Sequence, residues 1–217
     1  MRERPILFNG AMVRAILSGA KTQTRRAVKM PPGFDFIGGS GDDLNDPANW
    51  GAEDEDARWW ALAAGPDTDH VLPCPFGQPG DRLWVRETFM VEAHPADFGL
   101  TREDLPHTWD TLVAAAGTVI YAADADSWIA ADGRPWRPSI HMPRSACRLV
   151  LEITDVRVER LQAISEADAQ REGAGDNVDY TRNRTYRDDF RDIWTSTGGN
   201  WDANPWVWVI SFRRIEQ

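Results

Sequence analysis

Residues 19–26 read GAKTQTRR, which brings an amine, two hydroxyls and two guanidiniums together in Lys21, Thr22, Thr24, Arg25 and Arg26. A lysine can act as a general base once desolvation or a cationic neighbour lowers its pKa. Arg25 and Arg26 are such neighbours in sequence. A threonine hydroxyl becomes a competent nucleophile only when a base takes its proton, and an acid from elsewhere must then orient the base or relay the proton. In a flat strand Lys21 and Thr24 point to opposite faces, so they meet only if the chain turns near residues 20–22. Gly19 makes that turn feasible. The plainer reading is a lysine at a helix C-terminus, bonded to the last carbonyls. At this level both readings stand.

Other chemistries are easier to exclude. The chain has 217 residues and a net charge of −10. That charge opposes a general duplex-DNA binder, which needs broad positive surface, but not a pocket for one nucleoside or flipped base. There is no P-loop and no dinucleotide-binding glycine motif. A zinc deaminase needs H-x-E and P-C-x-x-C, yet His70, His94, His107 and His141 are followed two places on by Leu72, Ala96, Trp109 and Pro143. Cys74 and Cys147 make neither a metal pattern nor a disulfide pattern. No apolar run is long enough to span a bilayer, and the N-terminus lacks a signal-peptide h-region. A cytoplasmic protein without metal or cofactor is expected. Eleven tryptophans supply core and, in principle, stacking faces for bases.

The elements that must position these groups follow from periodicity and breakers. PILFNG reads as a strand and AMVRAILSG as a helix, with Met12, Val13, Ile16 and Leu17 on one stripe. TQTRRAV is extended. Residues 31–75, rich in Gly, Pro and Asp, read as a loop-rich insertion partly ordered by aromatics; residues 92–117 form a second, with a short helix expected over 105–116. RLWVRETF and TVIYAAD are strands. In the first, Trp84 and Arg86 share one face, and Val85 and Glu87 the other. WRPSIHMPRSA is irregular because Pro138 and Pro143 interrupt any ladder. CRLVLEITDVRVERL is a long strand. Ser165 starts a helix as N-cap with Asp168 three residues on. YRDDFRDIWTS is an amphipathic helix, and NPWVWVISFRRIE a final central strand. The sum is an α+β fold built on a mostly antiparallel barrel with flanking helices, expected as a single domain over residues 1–217.

These blocks, in this order, resemble the ASCH superfamily, whose fold is PUA-like. The resemblance is carried by PILFNGAMVRAILSGAKTQTRR, PGDRLWVRE, CRLVLEITDVRVERLQAISEADAQREG and FRDIWTSTGGNWDANPWVWVISF, and WRPSIHMPR resembles the longer phage-associated members. One branch of the superfamily cleaves N4-acetylcytidine to cytidine with a lysine, a threonine three residues later and a glutamate on the helix after the long strand. The resemblance therefore implies Lys21, Thr24 and Glu172 as catalytic residues of a metal-independent amidohydrolase acting on a nucleoside. Arg26, Trp84, Arg86, Glu87 and His141 are candidates for binding the substrate. Trp84 has core packing as its ordinary alternative, Glu87 a structural ion pair, and His141 the role of an ordinary satisfied histidine. Other superfamily members bind or cut RNA, so an RNA-binding or ribonuclease module is the alternative function.

Overall fold

The computed structural model describes residues 1–39, 43–65, 68–91, 119–124, 136–175 and 183–215. In chain order the strands are β1 Glu3–Leu7, β2 Gln23–Ala27, β3 Asp35–Gly39, β4 Trp50–Glu53, β5 Trp59–Ala61, β6 Arg82–Arg86, β7 Phe89–Val91, β8 Val119–Tyr121, β9 Val150–Arg160 and β10 Trp206–Ile215. The helices are α1 Gly10–Leu17, α2 Glu166–Arg171 and α3 Tyr186–Ser196. The chain divides into two compact units. One gathers Met1–Gly19, Gly80–Glu152 and Arg213–Gln217, and the other Ala20–Pro79 and Ile153–Phe212.

In the first unit β1 pairs in parallel with β6, which pairs antiparallel with the start of β9. Pro5 in β1 lacks an N–H, which an edge strand tolerates. Asn9 caps α1 by accepting from the Met12 N–H at 2.9 Å, and Val13 and Ile16 are the residues of that helix buried most deeply. The antiparallel β7–β8 ladder lies in this unit, and Phe89, Met142, Cys147 and Val150 form its buried cluster beside the turns around His141 and Arg144.

In the second unit the strand order is β9-β10-β2, so β10 is central there, as its apolar run predicts. Helix α3 begins with a reciprocal capping box between Thr185 and Asp188. Its Phe190, Ile193 and Trp194 pack with Leu161, Ala169, Val207 and Val209. The helix is thus amphipathic as expected, its apolar side against the core of the second unit.

Two expectations need correction. The described strands form open sheets, none closed into a barrel, although their pairing is mostly antiparallel as expected, with β1–β6 parallel. Residues 31–75 are also more regular than a loop-rich insertion. They contain the antiparallel sheet β3-β4-β5, in which Phe36 stacks on Trp50 and Trp60 stacks on His70. Turn chemistry hid this sheet: Asp54 accepts from the Asp56 and Arg58 N–H groups and closes the β4–β5 hairpin with acidic residues that read as loop. The helix expected over 105–116, with the rest of the second insertion, lies outside the described residues. No described helix is long and apolar enough to cross a membrane.

Candidate active site

Gly19 takes φ +80° just after α1, and its N–H bonds to the Ile16 carbonyl at 3.1 Å. That conformation suits glycine and ends the helix. In the second unit the chain then runs beside the C-terminus of α2. Lys21 forms an isolated antiparallel bridge with Glu172, and the Thr22 N–H bonds to the Arg171 carbonyl at 2.8 Å. Glu172 is the C-cap of α2 rather than a residue within it.

Lys21 and Glu172 are 2% and 4% exposed. Lys21 Nζ donates to Glu172 Oε2 at 2.7 Å and to the Glu172 backbone carbonyl at 2.8 Å. The lysine thus meets an acid, and it also bonds to the carbonyl at a helix C-terminus, that of α2 rather than α1. Burial pushes the Lys21 amine below the ordinary lysine range. The Glu172 carboxylate opposes this, and the Arg26 and Arg25 charges reinforce it.

Arg25 was not among the candidates, yet it is the hub of the site. Its buried guanidinium donates to Glu172 Oε1 at 3.0 Å, to Gln23 Oε1 at 2.9 Å and to Glu159, and lies 3.6 Å from Asp168 Oδ2. Its signal was present in the sequence: Lys21, Gln23 and Arg25 alternate along an extended segment and so share a face. The Asp168 carboxyl is raised by burial, but the Arg171 hydrogen bond and the Arg157 and Arg25 charges outweigh that and hold it below the usual range. Gln23 Nε2 continues the network to Ser211 Oγ at 3.3 Å. Gln23, Asp168, Ser211, Arg157, Arg171 and Thr22 line a polar cleft of about 420 Å³.

Thr24 is 1% exposed, and its Oγ1 has no hydrogen-bond partner among the described residues. It sits opposite Ile210 in the β2–β10 ladder, on the face away from Arg25. Lys21 and Thr24 thus belong to one unit but make no direct hydrogen bond. Arg26 lies opposite Trp208 and donates to the Arg25 carbonyl at 3.2 Å; burial lowers its pKa.

The other four candidates belong to the first unit. Trp84 packs against that unit's core with the Arg86 guanidinium 5.3 Å from its ring centroid. Arg86 donates to the Ile140 carbonyl. Glu87 is buried and accepts two hydrogen bonds from Arg148, both at 2.9 Å. His141 is exposed on a 3-10 turn. Among the described residues no three His, Cys, Asp or Glu side chains gather where a metal would bind.

No protein-family model matches the chain, and no curated protein matches it. Among solved structures it is similar to the ASCH domain of Lactobacillus crispatus JV V101, a crystal structure. The identity is 13% and the TM-score 0.34, over 98% of this chain and 79% of that one.

Proposed function

We propose that the chain is an ASCH-type amidohydrolase that cleaves the exocyclic amide of N4-acylated cytidine, giving cytidine and a carboxylic acid. The observation that carries this reading is the buried Lys21–Glu172 pair, with Lys21 three residues before a buried Thr24 whose hydroxyl has no hydrogen-bond partner among the described residues. A lysine whose pKa is lowered by burial is better suited to take a proton than an ordinary lysine.

In the reaction the Lys21 amine takes the Thr24 hydroxyl proton through bridging water, since the two lie on opposite faces of the segment, and Thr24 Oγ attacks the acyl carbon. The carbonyl π pair moves to oxygen and forms a tetrahedral oxyanion. Its return breaks the C–N4 bond, and the proton held by Lys21 passes to the departing cytosine amine. Water then cleaves the threonine ester with Lys21 again as base, releasing the acid and restoring Thr24. Glu172 holds the lysine in place and stabilises its protonated form, and Arg25 fixes Glu172 in turn. In the variant of this scheme Lys21 and Glu172 activate a water that attacks the acyl carbon, and Thr24 only positions the substrate. The competing reading, an RNA-binding module or ribonuclease, is disfavoured by the net charge of −10 and by the commitment of Arg25 to Glu159, Asp168 and Glu172.

The test is incubation of the purified protein with N4-acetylcytidine, following cytidine release beside Lys21→Ala and Glu172→Gln. Release by the wild type, lost in both variants, is expected. No release from any of a panel of N4-acylcytidines overturns the proposal, and cleavage of single-stranded RNA in a parallel assay would establish the ribonuclease.

A further inference from the structure

The charge of the chain is concentrated in one segment. Ten of its 34 acidic residues but only one basic residue, Arg58, lie between residues 31 and 75, so this stretch carries −9 of the net −10. The β3-β4-β5 sheet brings part of that charge together against the ordinary rules of strand pairing. In the β3–β4 register Asp35 stands directly opposite Glu53. Like charges in that position repel and destabilise the pair. Arg58 is bonded to Asp54 and Asp56 instead, and among the described residues no ion pair reaches Asp35 or Glu53. The repulsion is left standing on the surface of the sheet.

The strand that carries Asp35 is also a sheet edge. β3 ends the order β3-β4-β5, and its Phe36 and Ile37 are 46% and 54% exposed. Successive side chains alternate, so the edge presents one apolar residue on each face. An exposed apolar edge is a template for a further strand. The bulge between Phe36 and Gly38 shortens it, which suits a short segment. Phe36 stacks on Trp50 with ring centroids 5.7 Å apart, and Trp50 carries the Arg160 guanidinium 4.6 Å from its own centroid. This aromatic row thus already accepts a guanidinium from within the chain.

Three kinds of occupant compete for such an edge, and charge separates them. A second copy would set one stretch of −9 against another. A nucleic acid would bring phosphates to carboxylates. A cationic segment neutralises both Asp35 and Glu53. We infer that β3 is a docking edge for an extended segment of a partner protein in which basic and apolar residues alternate. The segment adds to the sheet beside β3, its main chain pairing with the edge. A basic side chain opposite Asp35 shares a face with both carboxylates, and its apolar neighbour covers Phe36 on the other face. This docking is independent of the chemistry at Lys21.

The test is calorimetric titration of the full chain with a short peptide alternating arginine and valine. Binding that weakens with added salt is expected, with a peptide alternating glutamate and valine inert. Asp35→Asn combined with Glu53→Gln should weaken binding roughly tenfold and raise the thermal midpoint of the free protein, because the cross-strand repulsion is gone. Amide hydrogen exchange over residues 35–39 should slow in the complex. No binding at low salt overturns the inference, as does binding undiminished in the double variant. Equally tight binding of oligoarginine without slowed exchange at 35–39 also overturns it, since that is charge attraction alone. Self-association of the double variant, with no peptide bound by the wild type, would overturn it too and make the two carboxylates a guard against pairing between copies.

Discussion

Lys21 sits where opposing effects act on one amine. Burial and the neighbouring arginines favour the neutral form, and Glu172 favours the charged form; the balance lies below the ordinary lysine value. Activity should therefore rise with pH along a limb placed below the normal lysine range, because the free amine is the base. Lys21→Arg should abolish that limb in a kcat/KM profile. The same shift makes stability rise with pH between the lowered folded value and the unfolded one, since the unfolded chain binds more protons there. Thr24→Val separates stability from chemistry. Replacing an unpartnered hydroxyl by a methyl should leave the urea midpoint unchanged or raised, relieving up to about 1–3 kcal/mol, while cytidine release is lost. Glu172→Ala does the reverse to stability. It removes the carboxylate to which both the Lys21 amine and the buried Arg25 guanidinium bond and should cost about 3–5 kcal/mol by denaturant titration.

At the scale of elements, α2 sets the geometry of the site, because Asp168 lies within it and Glu172 caps it. It has six residues, too few to stand on intrinsic propensity, so its cap matters. Ser165 Oγ accepts from the Asp168 N–H at 3.1 Å. Ser165→Ala should cost about 1 kcal/mol, read as a lower thermal midpoint. The turn before Lys21 has a separate requirement. Gly19 has open space around the position of a Cβ but a left-handed backbone, so Gly19→Ala should cost about 1–2 kcal/mol from conformation alone. Gly19→Asn should cost less, and equal losses would point to packing instead.

At the scale of the whole molecule, the net charge of −10 predicts no measurable duplex-DNA binding at physiological salt, checked by electrophoretic mobility shift. Acid stability has named contributors. The carboxyls of Glu3, Asp168 and Asp188 are held low, by Arg144, by Arg171 with Arg157 and Arg25, and by the Thr185 N–H respectively. Each contributes stability in full above the ordinary carboxylate range and loses it as pH falls through the lowered value. Thermal midpoints measured from pH 7 to 3 should fall in that acid window, and Asp168→Asn should flatten the fall.

What was legible in the sequence was local. Hydrophobic period, caps and breakers placed α1, α2, α3, β6, β9 and β10, because those signals reside in consecutive residues. Strand alternation also put Lys21, Gln23 and Arg25 on one face, although the choice of Arg26 over Arg25 passed over it. Glu172 came from the resemblance, since as an isolated residue it reads as a solvated helix position. Only the tertiary structure decided its partners, because residues 21 and 172 lie 151 positions apart and meet where two remote segments bridge. The β3-β4-β5 sheet was hidden by acidic turns. A bridge between remote segments is a fact about neighbours in space, and a sequence names neighbours only along the chain.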